Sequence, residues 1–211
     1  MYGYFRWADD IVDAPGRDPA LVAEFVVSQR ALVAGERAPA ALPEAALRLA
    51  LADAALLPIV MGMWEALAFD AARGTAPLPN DVLDRQVAHV GDAYLAAMWL
   101  CSGAAGAPPP GLAALSRAAT LTHVLRDLEV DLALGYVNLP PGVSATDGGA
   151  VAAWVLARCE DAEARFAEGA RILPVVRPWR TRWLVGLFAW RYRRVLRRIT
   201  ARYGAPPGPR S

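Results

Sequence analysis

The sequence contains no lysine, and all 22 of its basic residues are arginine. Only two of the 211 residues are cysteine, and they show neither a metal-binding spacing nor a disulfide framework. No glycine-rich dinucleotide fingerprint appears, and no alternation of apolar and polar residues indicates a β-strand. No apolar run reaches about 18 residues without a charge or a proline, and the chain opens without a secretory signal pattern. We therefore expect a cytoplasmic helical protein that has no zinc site and no membrane span.

The formal net charge is +1, but it is unevenly distributed along the chain. The stretch from Arg171 to Ser211 contains eleven arginines and no acidic residue, so the rest of the chain carries a formal charge of −10. An acidic body with a basic end predicts a surface for anions, either a diphosphate or lipid headgroups. Because no nucleic-acid-binding motif accompanies the basic charge, we expect no DNA or RNA partner.

Alanine, leucine, arginine and glutamate dominate the sequence, and proline or glycine interrupts it at intervals that a helix fills. This pattern predicts an all-α protein with about eight helices in a single bundle, one domain over residues 1–203, and a disordered tail over residues 204–211. The predicted helices run over about residues 2–14, 19–34, 43–57, 58–73, 81–102, 112–134, 146–171 and 178–203.

The first candidate motif is the stretch YGYFRWADDIVD over residues 2–13. Steps of four, three and four residues place Tyr2, Arg6, Asp9 and Asp13 on one face of a helix, with Asp10 near the edge of that face. The helix therefore presents carboxylates one turn apart, with an arginine one turn before them.

The second candidate motif is the stretch TLTHVLRDLEVDLAL over residues 120–134. The same helical spacing places Thr120, His123, Asp127 and Asp131 on one face, and Arg126 directly precedes the first aspartate. His123 is a candidate proton acceptor in an active site, and equally a histidine that packs between helices.

Aspartates one helical turn apart offer oxygen ligands to a hard cation, and Mg²⁺ prefers carboxylates, waters and phosphate oxygens. Two facing helices with such carboxylates repel each other unless divalent ions bridged by a diphosphate relieve the repulsion. Arg6 and Arg126 would then hold non-bridging phosphate oxygens. An apolar bundle interior would hold a hydrocarbon chain and shield a carbocation. The two motifs therefore predict an isoprenoid diphosphate bound through Mg²⁺. The expected metal ligands are Asp9, Asp10, Asp13, Asp127 and Asp131.

A single aspartate-rich stretch on an amphipathic helix is more often a solvated face than a metal site. Two such motifs, each with an adjacent arginine, favour the functional interpretation. The apolar neighbours of Asp9 favour it too, because carboxylates among apolar residues are costly without a partner or an ion.

Both motifs resemble those of the squalene/phytoene synthase family. Residues 2–13 are similar to the family's YxxxRxxDDxxD, and residues 125–140, LRDLEVDLALGYVNLP, are similar to its LRDxxxD followed by glycine and a closing LP. The last helix, with Tyr192, resembles the family's last helix and its tyrosine.

The resemblance implies an all-α isoprenoid synthase fold with a central apolar cavity. It also implies a Mg²⁺-dependent transferase that condenses two prenyl diphosphates, farnesyl or geranylgeranyl, head to head. The resemblance also matches residues of both motifs to the family's magnesium and diphosphate sites. The residues that match its catalytic magnesium ligands are Asp9, Asp13, Asp127 and Asp131, and those that match its diphosphate site are Tyr2, Arg6, Arg126 and Tyr192. We expect Tyr192 to be catalytic as well, and His123 to bind substrate.

Several departures from the family pattern leave alternatives open. The family normally has helices before its first motif, and we expect them to be missing from this chain. His123 stands where the family usually has asparagine, and Glu129 lies one place earlier than the family's glutamate. The alternatives are a terpene cyclase, or a hydrolase or lyase, acting on a single prenyl diphosphate, and a truncated partner subunit without catalytic activity.

The last predicted helix carries an apolar stripe of seven residues and a crowded set of arginines on the other side. One interpretation is a docked bundle helix with a solvated basic face. The other is a peripheral contact with anionic lipid at the inner face of the membrane. The stripe is Leu184, Leu187, Phe188, Tyr192, Val195, Leu196 and Ile199, and the arginines are Arg193, Arg194, Arg197 and Arg198.

Overall fold

The computed structural model describes residues 2–12, 18–73 and 75–204, with the backbone alone for Tyr2 and Pro19. Within these ranges the chain forms eight α-helices and two short 3₁₀ turns without any β-strand, which confirms the all-α prediction. The helices are α1 (Tyr2–Val12), α2 (Pro19–Ala34), α3 (Leu42–Ala50), α4 (Leu57–Arg73), α5 (Asn80–Cys101), α6 (Ala113–Ala133), α7 (Gly148–Ile172) and α8 (Trp179–Gly204).

The chain divides into two compact units. Unit 1 covers Met1–Gly74 and contains α1 to α4, and unit 2 covers Thr75–Ser211 and contains α5 to α8. The first aspartate motif belongs to unit 1 and the second to unit 2. The predicted disordered tail lies outside the described residues, apart from Gly204, which ends α8.

Local sequence signals mark both ends of α2 and the turn that follows α3. The Asp18 side chain accepts a hydrogen bond of 2.8 Å from the Ala20 amide and caps α2, whose other end is closed by Gly35 at a φ of 82°. The predicted helix over residues 43–57 is wrong, because α3 already ends at Ala50. Asp53 accepts from the Ala55 amide at 3.0 Å and starts a 3₁₀ turn instead, since a short acidic side chain competes for backbone donors.

Unit 1 is built on an aromatic core beneath α1. Tyr4, Ala8 and Val12 recur every four residues on this helix, and all three side chains are buried. The Tyr4 ring packs edge-on against the fully buried Trp64 of α4, with 6.0 Å between ring centroids. The apolar stripe of α1 therefore faces the core, which leaves its acidic residues toward the surface.

A buried polar network crosses the same core. The Trp64 indole donates to the Tyr4 hydroxyl at 2.8 Å, and that hydroxyl donates to Gln29 Oε1 at 3.0 Å. The Gln29 amide in turn donates to Glu44 Oε1 at 2.5 Å, and the Arg37 guanidinium donates to both oxygens of Glu44. This chain of hydrogen bonds joins α1, α2, α3 and α4, and burial raises the pKa of the Tyr4 hydroxyl well above its ordinary value.

Helix α6 forms the centre of unit 2 and contacts α5, α7 and α8. Its leucines at positions 115, 121, 125 and 128 are all buried. Two glycines allow close approach of its neighbours: a Cβ on Gly91 of α5 would lie 2.8 Å from Arg117 Cα, and a Cβ on Gly169 of α7 would lie 2.9 Å from the Leu115 amide nitrogen. The helix that carries the second motif is therefore held by backbone contacts as well as by side chains.

Replacing Gly169 by alanine is expected to lower the free energy of unfolding by about 1 to 3 kcal/mol, because the added methyl overpacks the contact with Leu115. Urea unfolding followed by circular dichroism measures the change. The matched control is Gly148→Ala on the same helix, where an added Cβ meets no atom within 4 Å. Equal midpoints for the two variants would show that the α6 and α7 backbones are not in close contact.

The stretch Ala54–Arg73 is long and apolar enough to cross a membrane by length and composition alone. Core helices of soluble proteins also satisfy this criterion. The stretch contains Glu65 and Asp70, and its Val60 and Trp64 belong to the core of unit 1. The predicted absence of a membrane span stays a prediction.

Candidate functional site

The first motif lies on the outer side of α1. Arg6 is paired with both aspartates that follow it, with 2.9 Å from its Nη2 to Asp10 Oδ1 and 3.7 Å from its Nη1 to Asp9 Oδ2. These three side chains are about half exposed, so a ligand in solvent can reach them. The Tyr2 side chain and Asp13, which the sequence assigned to this motif, lie outside the described residues.

The core of unit 1 determines how α1 presents these groups. Tyr4 lies between Arg6 and the start of the helix, and its hydroxyl is held by Trp64 and Gln29. Because Tyr4 and Ala8 face the core, the helical period directs Arg6 and Asp10 outward. The buried tyrosine therefore sets the rotation of the helix that carries the first motif.

The second motif is centred on an arginine and carboxylate pair on α6. Arg126 Nε lies 2.6 Å from Asp127 Oδ1, and Arg126 Nη2 lies 2.6 Å from Asp127 Oδ2, so the pair is bidentate. His123 Nε2 lies 3.0 Å from the same Asp127 Oδ2 and 3.1 Å from Arg126 Nη2. The structure therefore brings together three of the residues that the sequence predicted.

Tyr192 of α8 joins this group from a second helix. Its hydroxyl lies 3.5 Å from His123 Nδ1, and the two rings are stacked with 6.4 Å between centroids. The Phe188 ring also packs against the Tyr192 ring, with 4.9 Å between the two centroids. His123 thus lies between Asp127 on its own helix and Tyr192 on α8, in a half-exposed position rather than in the core.

Burial and the neighbouring charges shift the pKa values of His123 and Asp127 in this cluster. Partial burial and the neighbouring Arg126 charge lower the pKa of His123, although Asp127 opposes them. Partial burial acts to raise the pKa of Asp127, but the hydrogen bond from Arg126 and the charges of His123 and Arg126 outweigh it and hold the pKa below its ordinary value. Asp127 is therefore an anion at neutral pH.

The second aspartate of the motif has a partner that the sequence analysis missed. The buried Asn138 donates from Nδ2 to Asp131 Oδ2 at 2.8 Å. Asn138 reaches back because Gly135, two residues after the end of α6, turns the chain at a φ of 91°, and the Tyr136 amide then donates to the Asp131 carbonyl at 2.8 Å. The available signal was the asparagine two residues before Pro140 in the turn that follows the motif.

Glu129 does not belong to this cluster. Its carboxylate is paired with Arg202 of α8 at 2.6 Å and accepts from the Tyr203 hydroxyl at 3.1 Å. Glu129 therefore joins α6 to the end of α8. It also provides a carboxylate on the motif helix that is separate from Asp127 and Asp131.

The donor set of both motifs suits Mg²⁺, since it consists of carboxylate oxygens on rigid helices that are at least partly exposed. Within the part of the chain that the structure describes, no group of three or more histidine, cysteine, aspartate or glutamate side chains forms a metal site by itself. Phosphate oxygens of a ligand would have to complete the coordination. Both oxygens of Asp127 accept hydrogen bonds from Arg126, so a cation bound there would lie beside the guanidinium.

The whole chain is similar to a known structure. It matches the crystal structure of squalene synthase HpnC from Alicyclobacillus acidocaldarius with a TM-score of 0.69 and 22% sequence identity, over 98% of this chain and 82% of that chain. No protein-family model matches the sequence, and the comparison with curated proteins finds no match. The predicted isoprenoid synthase fold and the resemblance to squalene and phytoene synthases are therefore confirmed at the level of the fold.

Proposed function

We propose that this chain, which has the fold of a squalene synthase, is a Mg²⁺-dependent prenyltransferase that condenses two prenyl diphosphates head to head and releases diphosphate. The proposed substrates are farnesyl or geranylgeranyl diphosphate. The observation that carries the proposal is the group of Arg126, Asp127, His123 and Tyr192, a carboxylate with a bidentate arginine and a tyrosine from a second helix, on this fold.

The proposed metal ligands are the aspartates of both motifs. When bound, Mg²⁺ would neutralise charge on the diphosphate and make it a better leaving group. Asp131 is suited to this task because Asn138 holds one of its oxygens in place, so the side chain is oriented before a ligand arrives. The proposed ligands are Asp9, Asp10, Asp13, Asp127 and Asp131.

The two arginines are proposed to bind phosphate oxygens. Arg126 holds Asp127 through a planar bidentate pair, and a phosphate offers the same fork geometry to a guanidinium. Arg6 is instead shared between two carboxylates, with one contact to Asp9 and one to Asp10. Each arginine can thus exchange its carboxylate partner for a diphosphate oxygen as that carboxylate turns toward a cation.

Tyr192 and His123 are proposed to border the same diphosphate. Their rings stack, and the Tyr192 hydroxyl lies near His123 Nδ1 while His123 Nε2 contacts Asp127. His123 therefore links α8 to the motif helix, and Tyr192 adds a hydroxyl that can donate to a phosphate oxygen. Tyr2 is proposed to bind a diphosphate at the first motif.

A second candidate function is the conversion of a single prenyl diphosphate to a cyclised, eliminated or hydroxylated terpene. The observation that favours it is the altered surroundings of the α6 aspartates, where His123 and Asn138 contact Asp127 and Asp131. A partner subunit without catalytic activity is the third candidate.

The decisive assay incubates the purified chain with Mg²⁺ and, separately, with geranyl, farnesyl and geranylgeranyl diphosphate. Released diphosphate and extracted lipid are measured, the lipid by mass spectrometry, with parallel samples that contain a chelator. We expect a lipid with twice the carbon number of the substrate. Its formation should require Mg²⁺ and should be lost in an Asp9→Asn, Asp127→Asn double variant.

Other outcomes assign the other candidates. A lipid with the carbon number of one substrate would replace the coupling reaction by cyclisation, elimination or hydrolysis. Absence of turnover with every substrate, in a chain shown to be folded by circular dichroism, would contradict the enzyme proposal and favour the partner subunit.

A further inference from the structure

Helix α8 exposes an apolar stripe on the side opposite to its core. Trp179, Trp183, Leu187 and Trp190 recur at intervals of four, four and three residues, and each side chain is more than half exposed, with Trp183 at 68%. A shallow groove is lined by Trp183, Leu187 and Trp190 together with Arg182 and Gly186. This outer stripe spans about 16 Å along the helix axis.

The sequence placed the apolar residues of this helix differently. Leu184 and Leu187 were predicted in the packed stripe, but both are exposed, at 41% and 55%. Leu196 and Ile199 of the predicted stripe are buried as expected, and Val185, which the sequence analysis left out, is buried with them because this side of the helix faces α6 and α7. The three tryptophans are therefore not needed for the core of unit 2.

Exposed arginines border the outer stripe. The Arg194 guanidinium lies over the Trp190 ring at 5.0 Å, and that of Arg180 lies over the Trp179 ring at 5.7 Å. Arg193, which the sequence grouped with them, is instead paired with Glu163 of α7. Within the described ranges, six exposed arginines of α8 have no acidic partner. They are Arg180, Arg182, Arg191, Arg194, Arg197 and Arg198.

We propose that the outer stripe of α8 and its bordering arginines dock this protein on the surface of an anionic lipid bilayer. Tryptophan and leucine side chains on one helix face suit the boundary between headgroups and acyl chains, and arginines beside them suit anionic headgroups. The whole region from Arg171 to Ser211 contains no acidic residue, so nothing in it offsets this attraction.

The charge of this face argues against a second copy of the chain as its partner. Two copies joined through the same stripe would bring both sets of arginines together, and like charges at close range repel. A lipid surface supplies anionic groups along the full length of the stripe. The exposed apolar residues of the outer stripe lie along one face of the helix, which suits a flat surface.

The test measures cosedimentation of the full chain with vesicles of phosphatidylcholine alone and of phosphatidylcholine mixed with phosphatidylglycerol, without substrate. We expect binding to the mixed vesicles that weakens as the salt concentration rises. The double variant Trp183→Gln, Trp190→Gln is expected to lose at least about tenfold in affinity for the mixed vesicles. The matched control is Leu42→Gln, Leu49→Gln, two exposed leucines of α3, and it should bind like the wild type.

A second pair of variants tests the charge. Arg191→Gln, Arg194→Gln is expected to lose about tenfold in affinity for the mixed vesicles, whereas Arg30→Gln, Arg85→Gln, with the same change in net charge, should lose less. Circular dichroism verifies that each variant is folded. If these two variants bound the mixed vesicles with equal affinity, the arginines of α8 would not be the source of the attraction to anionic lipid.

Two results would overturn the proposal as a whole. One is that the wild type and the tryptophan variant cosediment to the same extent with every type of vesicle. The other is a wild-type dimer in lipid-free buffer that the tryptophan variant lacks, which would make the stripe an interface between copies. Because no substrate is present, these outcomes are independent of whether the chain is a prenyltransferase.

Discussion

Replacing Asp127 by asparagine is expected to lower kcat by about 10²- to 10³-fold, with little loss of folded protein. The variant keeps the size of the side chain but removes the negative charge that a cation requires. It also leaves Arg126 without the charged partner that it holds through two hydrogen bonds. The loss should appear as released diphosphate at saturating prenyl diphosphate, and Mg²⁺ titration should show weaker affinity for the metal.

The matched control for this change is Glu129→Gln. Glu129 lies on the same helix, but its carboxylate contacts Arg202 and Tyr203 rather than the motif. We expect turnover within about twofold of the wild type, because exposed ion pairs of this kind contribute little. If both variants lost activity equally, the loss would reflect the stability of α6, and the assignment of Asp127 would be wrong.

Replacing Glu44 by glutamine is expected to lower the free energy of unfolding by about 3 kcal/mol at pH 7. Glu44 is 3% exposed and accepts hydrogen bonds from Arg37 and Gln29 and from the amides of Ala40 and Ala41. Glutamine has a single acceptor oxygen and brings an amide donor toward these donors. It therefore leaves buried hydrogen bonds unmade and leaves Arg37 without its counterion.

The stabilisation by Glu44 depends on pH in a defined direction. The hydrogen bond from Arg37, opposed by burial and assisted by Gln29 and the Ala40 amide, lowers the pKa of Glu44 from 4.5 to about 2. A carboxyl whose pKa is lower in the folded state contributes its full stabilisation above the unfolded pKa of 4.5, and loses it as the pH falls toward 2. The difference between wild type and Glu44→Gln should therefore be constant from pH 7 to pH 5 and shrink below 4.5.

Urea unfolding between pH 3 and pH 7 measures this difference. Hydrogen exchange with mass spectrometry localises it, because the peptides of α2, α3 and α4 should lose protection before those of α6. Asp81→Asn is the control, since Asp81 forms an exposed pair with Arg85 on α5 and should change neither the midpoint nor its pH dependence. A Glu44→Gln deficit that stays constant down to pH 3 would contradict the lowered pKa.

The helical class and both motifs could be predicted from the sequence because they depend on local spacing. Carboxylates one turn apart share a helix face in any α-helix, so Asp127 and Asp131 were assigned without coordinates. Helix α2 was also predicted closely, since Asp18 and Gly35 mark its ends through contacts within a few residues. The break after Ala50 was missed, because its Asp53 cap competes with a sequence that favours helix on both sides.

The partners of the site could not be predicted in the same way. Glu129 was considered only as a displaced motif residue, whereas its contacts with Arg202 and Tyr203 join positions more than 70 residues apart. Asn138 reaches Asp131 only because Gly135 reverses the chain. Contacts of this kind depend on which helices pack together, and no pattern within one helix contains that information.

By itself, the sequence determined the all-α class, the two aspartate motifs and the basic end of the chain, since periodicity and charge are properties of neighbouring residues. Only the tertiary structure decided which side of α8 is buried. The helix is apolar on more than one side, so periodicity placed Leu196 and Ile199 correctly but also favoured the exposed Leu184 and Leu187, and packing against α6 and α7 added Val185 to the core. The tryptophans were left outside for the physical reason that a helix can bury only the face that its neighbours cover.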